Sequence, residues 1–142
     1  MGYLRTDSHG GEGGHYFTDD LTAINRAISV NIWHDKNRYV NALQFIWVSE
    51  GPKGTPVMGN VNGRKQGELV TFHLADGEFI SEIKGRSGAY VDSLTFRTNL
   101  GTVHGPYGGT GGIEWSMSGL RVDGAFGRCD EYLDKVAFFK RP

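Results

Sequence analysis

The chain has 142 residues, a formal net charge of −1 at pH 7, a single cysteine and 22 glycines. A chain of that length buries roughly two thirds of its unfolded surface, so one domain over residues 1–142 needs neither disulfides nor a structural metal. Mixed charges leave no basic face, and no apolar run approaches the ~18 residues of a membrane helix, so neither nucleic-acid binding nor membrane insertion is expected.

In chain order, the first feature is a glycine-rich loop, "HGGEGGHYF" over 9–17. Around 21–27, Leu21, Ile24 and Ile28 fall at roughly helical spacing, enough for one or two turns of helix. Strands follow over 27–34 and 41–49, then a second glycine-rich loop, "MGNVNGRKQG" over 58–67. Three more strands are expected over 68–75, 79–88 and 93–99, and a third loop, "HGPYGGTGGIEW" over 104–115, leads into one at 113–117. The last two strands cover 120–128 and 135–139. All are short and rich in β-branched and aromatic residues, with Gly, Asn, Asp or Pro between them, which is the pattern of an all-β sandwich, barrel or prism. Glycine without a G-X-Y period, flanked by aromatic strands, is neither collagen nor a disordered linker.

The chain also repeats itself. Arg38-Tyr39-Val40-Asn41-Ala42-Leu43-Gln44-Phe45, Ala89-Tyr90-Val91-Asp92-Ser93-Leu94-Thr95-Phe96 and Glu131-Tyr132-Leu133-Asp134-Lys135-Val136-Ala137-Phe138 share one register: tyrosine, aliphatic, Asp or Asn, then apolar residues at alternate places. Each glycine-rich loop belongs to a different repeat, so three related sheets are expected. Leu43 and Phe45, Leu94 and Phe96, and Val136 and Phe138 share a parity that marks the core face. Asn41, Asp92 and Asp134 share it too, and a carboxylate inside an apolar core is strongly unfavourable unless paired. They are therefore expected at the mouth of each sheet. There, fixed oxygen acceptors beside backbone N–H donors suit a ligand made of hydroxyl groups.

These loops, the phrase "GRSGAYVDSLTF" and the ending "GAFGRCDEYLDKVAFF" resemble jacalin-related lectins of the mannose-binding type, over essentially the whole chain. The resemblance implies a β-prism I fold of three Greek-key four-stranded sheets with pseudo-threefold symmetry. It also implies a sugar held, without calcium or any cofactor, between a glycine-rich loop and a GxxxD loop whose Asp accepts from two hydroxyls. Carried over, the second repeat supplies Gly88, Ala89, Tyr90, Val91 and Asp92, facing Gly111 and Gly112. The third supplies Asp130, Glu131, Tyr132, Leu133 and Asp134, facing Gly13 and Gly14. Asp130 stands where the family has Gly, a substitution that Asp's tolerance of positive φ makes mild. The first repeat, Asn37, Arg38, Tyr39, Val40 and Asn41 facing Asn62 and Gly63, departs at both ends. Its neutral Asn41 forfeits the charge-assisted bond, worth roughly 1.5 to 3 kcal/mol against about 1, so this third site is expected to be weak or silent.

The three tyrosines are read as packing residues or subsite walls, Trp33, Trp47 and Trp115 as core or interface aromatics, and His15, Glu131 and Tyr107 as candidates for setting linkage preference. Mannose- or glucose-type glycans are the expected partners. Galactose preference goes in this family with a chain cleaved ahead of the first glycine loop, and here "MGYLRTDS" runs on before it. The alternatives are a galactose-preferring lectin, or a protein-interaction or targeting module that keeps the fold but has little sugar affinity. An enzyme is not expected: the histidines at 9, 15, 34, 73 and 104 show no metal spacing, Cys129 needs a distant His for a dyad, and nothing in the sequence gives Asp130, Glu131 or Asp134 a general acid's raised pKa. The start of the chain lacks a signal peptide's apolar core, so a cytoplasmic or non-classically secreted protein is expected, with a homodimer by edge or face pairing as the hypothesis for its assembly.

Overall fold

A computed structural model describes residues 2–142. Among them every regular element is a strand: β1 (Leu4–Arg5), β2 (His9–Gly10), β3 (His15–Thr18), β4 (Ile24–His34), β5 (Val40–Ser49), β6 (Pro56–Met58), β7 (Asn62–Gly63), β8 (Glu68–His73), β9 (Ile80–Ser87), β10 (Val91–Thr98), β11 (Val103–Gly108), β12 (Ile113–Met117), β13 (Val122–Cys129) and β14 (Leu133–Lys140). The helical spacing near Leu21 does not make a helix. Leu21 to Ala23 turn, with Ala23 at φ 58°, and Ile24 opens β4, which pairs with β5 and sends Ile24, Ala27, Val30 and Ile32 into the core while Ile28 stays half-buried.

All pairing is antiparallel. One sheet has the order β8-β4-β5 with β6 and β7 together lining the far edge of β5. A second has the order β12-β9-β10-β11. In both, the strand that comes fourth in the chain lies beside the first, the Greek-key arrangement. The third sheet repeats the pattern with its chain order rotated. The hairpin β13-β14 comes from the C-terminal end, while β3 flanks β13 and β1 with β2 flank β14. The second and third sheets are joined at one edge by the pair Val122 and Ile80 and by Leu120 N donating to Ser81 O at 3.0 Å.

The inward faces of the central hairpins fill the prism. Phe45, Phe96 and Phe138, one from each repeat, are fully buried together with Leu43, Leu94 and Val136. Burying a phenylalanine side chain contributes about 2 to 3 kcal/mol, and each of the three occupies an equivalent place, so the repeat is an energetic one as well as a sequence one. The sequence missed six strands, β1, β2, β3, β6, β7 and β11. They are short edge pieces, five of them inside or bordering the glycine-rich loops, where composition argues against strand and only pairing to a long neighbour creates one.

Candidate functional site

Three β-bulges place the three side chains that the repeats single out. Against β9, Val91 pairs with Ser87 and Ser93 with Arg86, which leaves Asp92 over. Against β13, Leu133 pairs with Cys129 and Lys135 with Arg128, which leaves Asp134 over. Asn41 is the extra residue between Val40 and Ala42 on β5. A bulge takes its residue out of the ladder, bends the strand and re-aims the side chain, which resolves the conflict between a core-face parity and a charge. Each freed main-chain carbonyl then anchors a loop: Gly109 N donates to Asp92 O at 2.7 Å, Gly11 N to Asp134 O at 2.8 Å, and Arg64 N to Asn41 O at 3.2 Å.

At two corners the anchored loop presents bare backbone to a carboxylate. A methyl group placed on Gly111 would lie 2.7 Å from Asp92 Oδ2, and one on Gly112 2.7 Å from Oδ1. At the third repeat the corresponding distances are 2.6 Å from Gly13 to Asp134 Oδ2 and 2.9 Å from Gly14 to Oδ1. The absence of a side chain is therefore a steric requirement at four positions. Gly112 and Gly14 also sit at φ 74° and 70°, where other residues are strained. Asp92 and Asp134 are 7% and 4% exposed, and Asp134 Oδ1 is buried without a hydrogen-bond partner. Desolvation holds both carboxyls above their ordinary range. Arg86 opposes this at Asp92, while at Asp134 the neighbouring Asp130 adds to it and Arg128 and His15 oppose it. A desolvated acceptor lacking a donor is costly, and a hydroxyl-bearing ligand removes that cost.

Two arginines that the sequence reading passed over hold these loops in shape. Arg86 Nε donates to Thr110 O and Gly111 O, both at 3.1 Å, and its Nη2 to Gly112 O at 3.0 Å. Arg128 does the same for Gly13 O and Gly14 O at 3.1 and 2.9 Å. With their carbonyls turned back onto the guanidinium, the loops keep their amides free to face the carboxylate. The signal was present in the sequence as the paired phrases Gly85-Arg86-Ser87-Gly88 and Gly127-Arg128-Cys129-Asp130.

The first corner is built differently, and the structure corrects its register. The connection from His34 to Asn41 is two residues longer than those from Ser87 to Asp92 and Cys129 to Asp134, and closes through Asp35 N donating to Tyr39 O at 3.1 Å. Gln66 and Gly67, not Asn62 and Gly63, occupy the places of Gly111 and Gly112: Gly63 lies in the ladder beside Ala42, and Asn62 is buried with its amide toward Asp19 Oδ1. Asn41 Nδ2 donates to Asp35 Oδ2 at 3.0 Å and to Gln66 O at 2.8 Å, while Gln66 N donates to Arg64 O and Arg38 N to Asp35 O. The amide donors of this corner are spent on its own chain, and of the sugar-gripping groups Asn41 Oδ1 alone stays buried without a partner, a neutral acceptor where the other corners have a carboxylate. A further difference concerns Asp130: neither it nor Gly88 has positive φ, and a methyl on Gly88 would meet nothing nearer than Gly112 Cα at 3.9 Å, so this exchange needs no conformational tolerance.

The corners meet around three tyrosines. Tyr39, Tyr90 and Tyr132 pack ring to ring with centroids 4.7, 4.9 and 5.1 Å apart, on the axis relating the repeats. The loops also interlock: Gly109 lies against the backbone of Arg38, Gly11 against that of Ala89, and Arg64 reaches Glu131 at 3.7 Å. Trp33 and Trp47 are buried, and Trp115 lies across Gly85 with its Nε1 donating to Ser87 Oγ. Tyr107 packs on the core edge beside His34. His15 does approach Cys129, Nε2 to Sγ 3.9 Å, but burial and the charges of Asp134 and Asp130 push the thiol up to about 11, which suppresses the thiolate that nucleophilic chemistry requires.

Fold and corners together define a three-sheet β-prism whose loops at one end offer paired carboxylate and bare-backbone sockets. The family model of the Jacalin-like lectin domain matches residues 6–139, and the chain belongs to that family, whose members are non-enzymatic carbohydrate-binding proteins. Among relatives, griffithsin from a Griffithsia species is 41% identical over 69 residues, covering 49% of this chain and 57% of that protein. The jacalin-related lectin Calsepa from Calystegia sepium is 30% identical over 101 residues, covering 66% of this chain and 65% of its own. The chain thus spans less than two thirds of the length of these relatives. Among solved structures, that of AcmJRL, a mannose binding jacalin related lectin from Ananas comosus, superposes with a TM-score of 0.87 at 26% identity, covering 100% of this chain and 99% of that one.

Proposed function

We propose that this chain is a lectin for mannose- or glucose-type glycans, with working sites at the Asp92 and Asp134 corners and none at Asn41. The observation that carries the reading is the repeated geometry of a desolvated carboxylate set against a glycine loop whose carbonyls are tied back by an arginine, with Asp134 Oδ1 buried and unpartnered at one of the two corners. A pyranose placed there gives two hydroxyl protons to the carboxylate and takes N–H donors from the loops, such as Gly111 and Ala89 at one corner and Gly13 and Glu131 at the other. Neither step needs a metal, so binding is calcium-independent. The names of the relatives, among them mannose/glucose-specific lectins from Parkia, agree with this ligand class.

A single shallow site of this kind is worth about a millimolar dissociation constant, and useful affinity comes from two corners engaging one branched glycan or surface. Titration of the protein with methyl α-mannoside tests the proposal. Binding heat should survive EDTA, fall in Asp92→Ala or Asp134→Ala, and vanish in the double variant. No heat at millimolar sugar would instead favour an interaction module that has kept only the fold.

A further inference from the structure

The Asn41 corner has no carboxylate and has spent its amide donors on its own chain, but it has gained cations. Where the other two corners carry Gly88 and Ala89, or Asp130 and Glu131, and loop residues Gly109 and Thr110, or Gly11 and Glu12, this one carries Lys36, Arg38, Arg64 and Lys65, all exposed. We propose that it is a subsite for an anionic substituent, a sulfate or phosphate ester borne by the glycan that the neighbouring corners hold; the inference rests on the lectin reading above and deepens it.

The placement follows from the interlocked loops. Arg38 lies against Gly109, on the rim of the Asp92 corner, and its Nη2 donates to Tyr132 Oη at 3.1 Å. Arg64 reaches Glu131, on the rim of the Asp134 corner. Lys36 sits in the two-residue extension, which Asn37 turns at φ 68°, and Lys65 Nζ lies 5.9 Å from the centre of the Trp33 ring. The four cations therefore belong to two loops whose arginines touch the rims of both hydroxyl-binding sockets, a basic strip at the third corner. A branched saccharide that engages either socket passes an ester across it.

The acidic groups bordering the strip are Asp35, Glu68 and Glu131. Asp35 accepts from Asn41 and Glu131 is shared with Arg64, so among the described residues the two lysines are cations of the strip that no carboxylate pairs. The Asp134 corner is richer in acids, Glu12, Asp130, Glu131 and Asp134, which Lys135, paired with Glu12, and Arg128 offset in part. A dianionic phosphate or monoanionic sulfate gains from the lysines as point charges, and because they are exposed the gain is screened by salt.

The test compares three synthetic trimannosides, identical except that one carries a sulfate ester and one a phosphate monoester on a terminal residue. Binding is measured at low and high salt for the wild type and for Lys36→Glu/Lys65→Glu, a pair outside both sockets. With two exposed ion pairs gained, an ester should tighten binding about five- to tenfold at low salt, a preference that shrinks at high salt. Charge reversal should abolish the preference and leave the plain trimannoside unaffected, and Lys36→Gln/Lys65→Gln should fall between. The sulfate and phosphate arms show which ester the strip prefers. Equal binding of all three sugars, or a preference that persists in the reversed variant, overturns the inference. Failure of the wild type to bind even the plain sugar refutes the lectin reading first and this with it.

Discussion

Adding one methyl group at Gly111 should silence one corner and spare the other. The new Cβ of Gly111→Ala would stand 2.7 Å from Asp92 Oδ2, where a relaxed contact needs about 3.4 Å, so something has to move by about 0.7 Å. The loop is the stiffer partner: Gly109 N is bonded to Asp92 O, and Arg86 holds the carbonyls of Thr110, Gly111 and Gly112. The carboxylate therefore turns aside and loses its aim at the sugar. Each charge-assisted hydrogen bond forfeited is worth about 1.5 to 3 kcal/mol, so even one costs tenfold or more and takes a site near millimolar out of range. Gly111 does not have positive φ, so the alanine adds no backbone strain and the thermal unfolding midpoint should hold. The assay is a backbone-amide NMR titration with methyl α-mannoside. In the wild type the signals of Gly111 and Gly112 and those of Gly13 and Gly14 should all shift; in Gly111→Ala only the second pair should. If Gly111→Ala still showed shifts at both corners, as the wild type does, Asp92 would not be the acceptor.

Further predictions concern charge. Arg86→Met should leave the fold intact but free the loop beside Asp92, weakening that corner about tenfold for lost preorganisation while the Asp134 corner is unchanged in the same titration. Because desolvation raises both carboxyls, and the ionised form is the acceptor, mannoside affinity should fall on acidification before the pH reaches the ordinary value of 3.8, and Asp130→Asn should move the Asp134 midpoint downward by removing a like charge. A flat affinity from neutrality down to that value would contradict it. Asp19, buried and held only by Ala125 N and the amide of Asn62, has its carboxyl raised to about 6. A folded-state value above the unfolded one stabilises below the unfolded value and is lost as pH rises through 6, here about 3 kcal/mol between the two limits. Asp19→Asn should therefore flatten the rise in stability seen on going from neutral to acidic pH in urea unfolding, and an unchanged slope would count against that assignment.

The sequence by itself determined the parts that depend on local pattern and repetition. Alternation at Leu43, Leu94 and Val136 marked the core, the threefold phrase marked three equivalent sheets, and Asp92 and Asp134 stood out because a charge on a core-facing parity needs a reason. Only the tertiary structure decided what that reason is. The bulges at Asn41, Asp92 and Asp134 arise from strand pairing, which leaves no mark in any one strand. The edge strands inside the glycine loops exist because a long neighbour offers hydrogen bonds that their own composition does not seek. The first corner went wrong in register for a similar cause. Two extra residues before Asn41 moved Asp35 and Gln66 into place, and a short motif cannot show which residue of a distant loop will face it. Arg86 and Arg128 were visible as letters, but their work is done on carbonyls about 25 and 115 residues away in the chain. Backbone hydrogen bonding to a remote loop has no side-chain code, so that part of the site could be read only once the chain was folded.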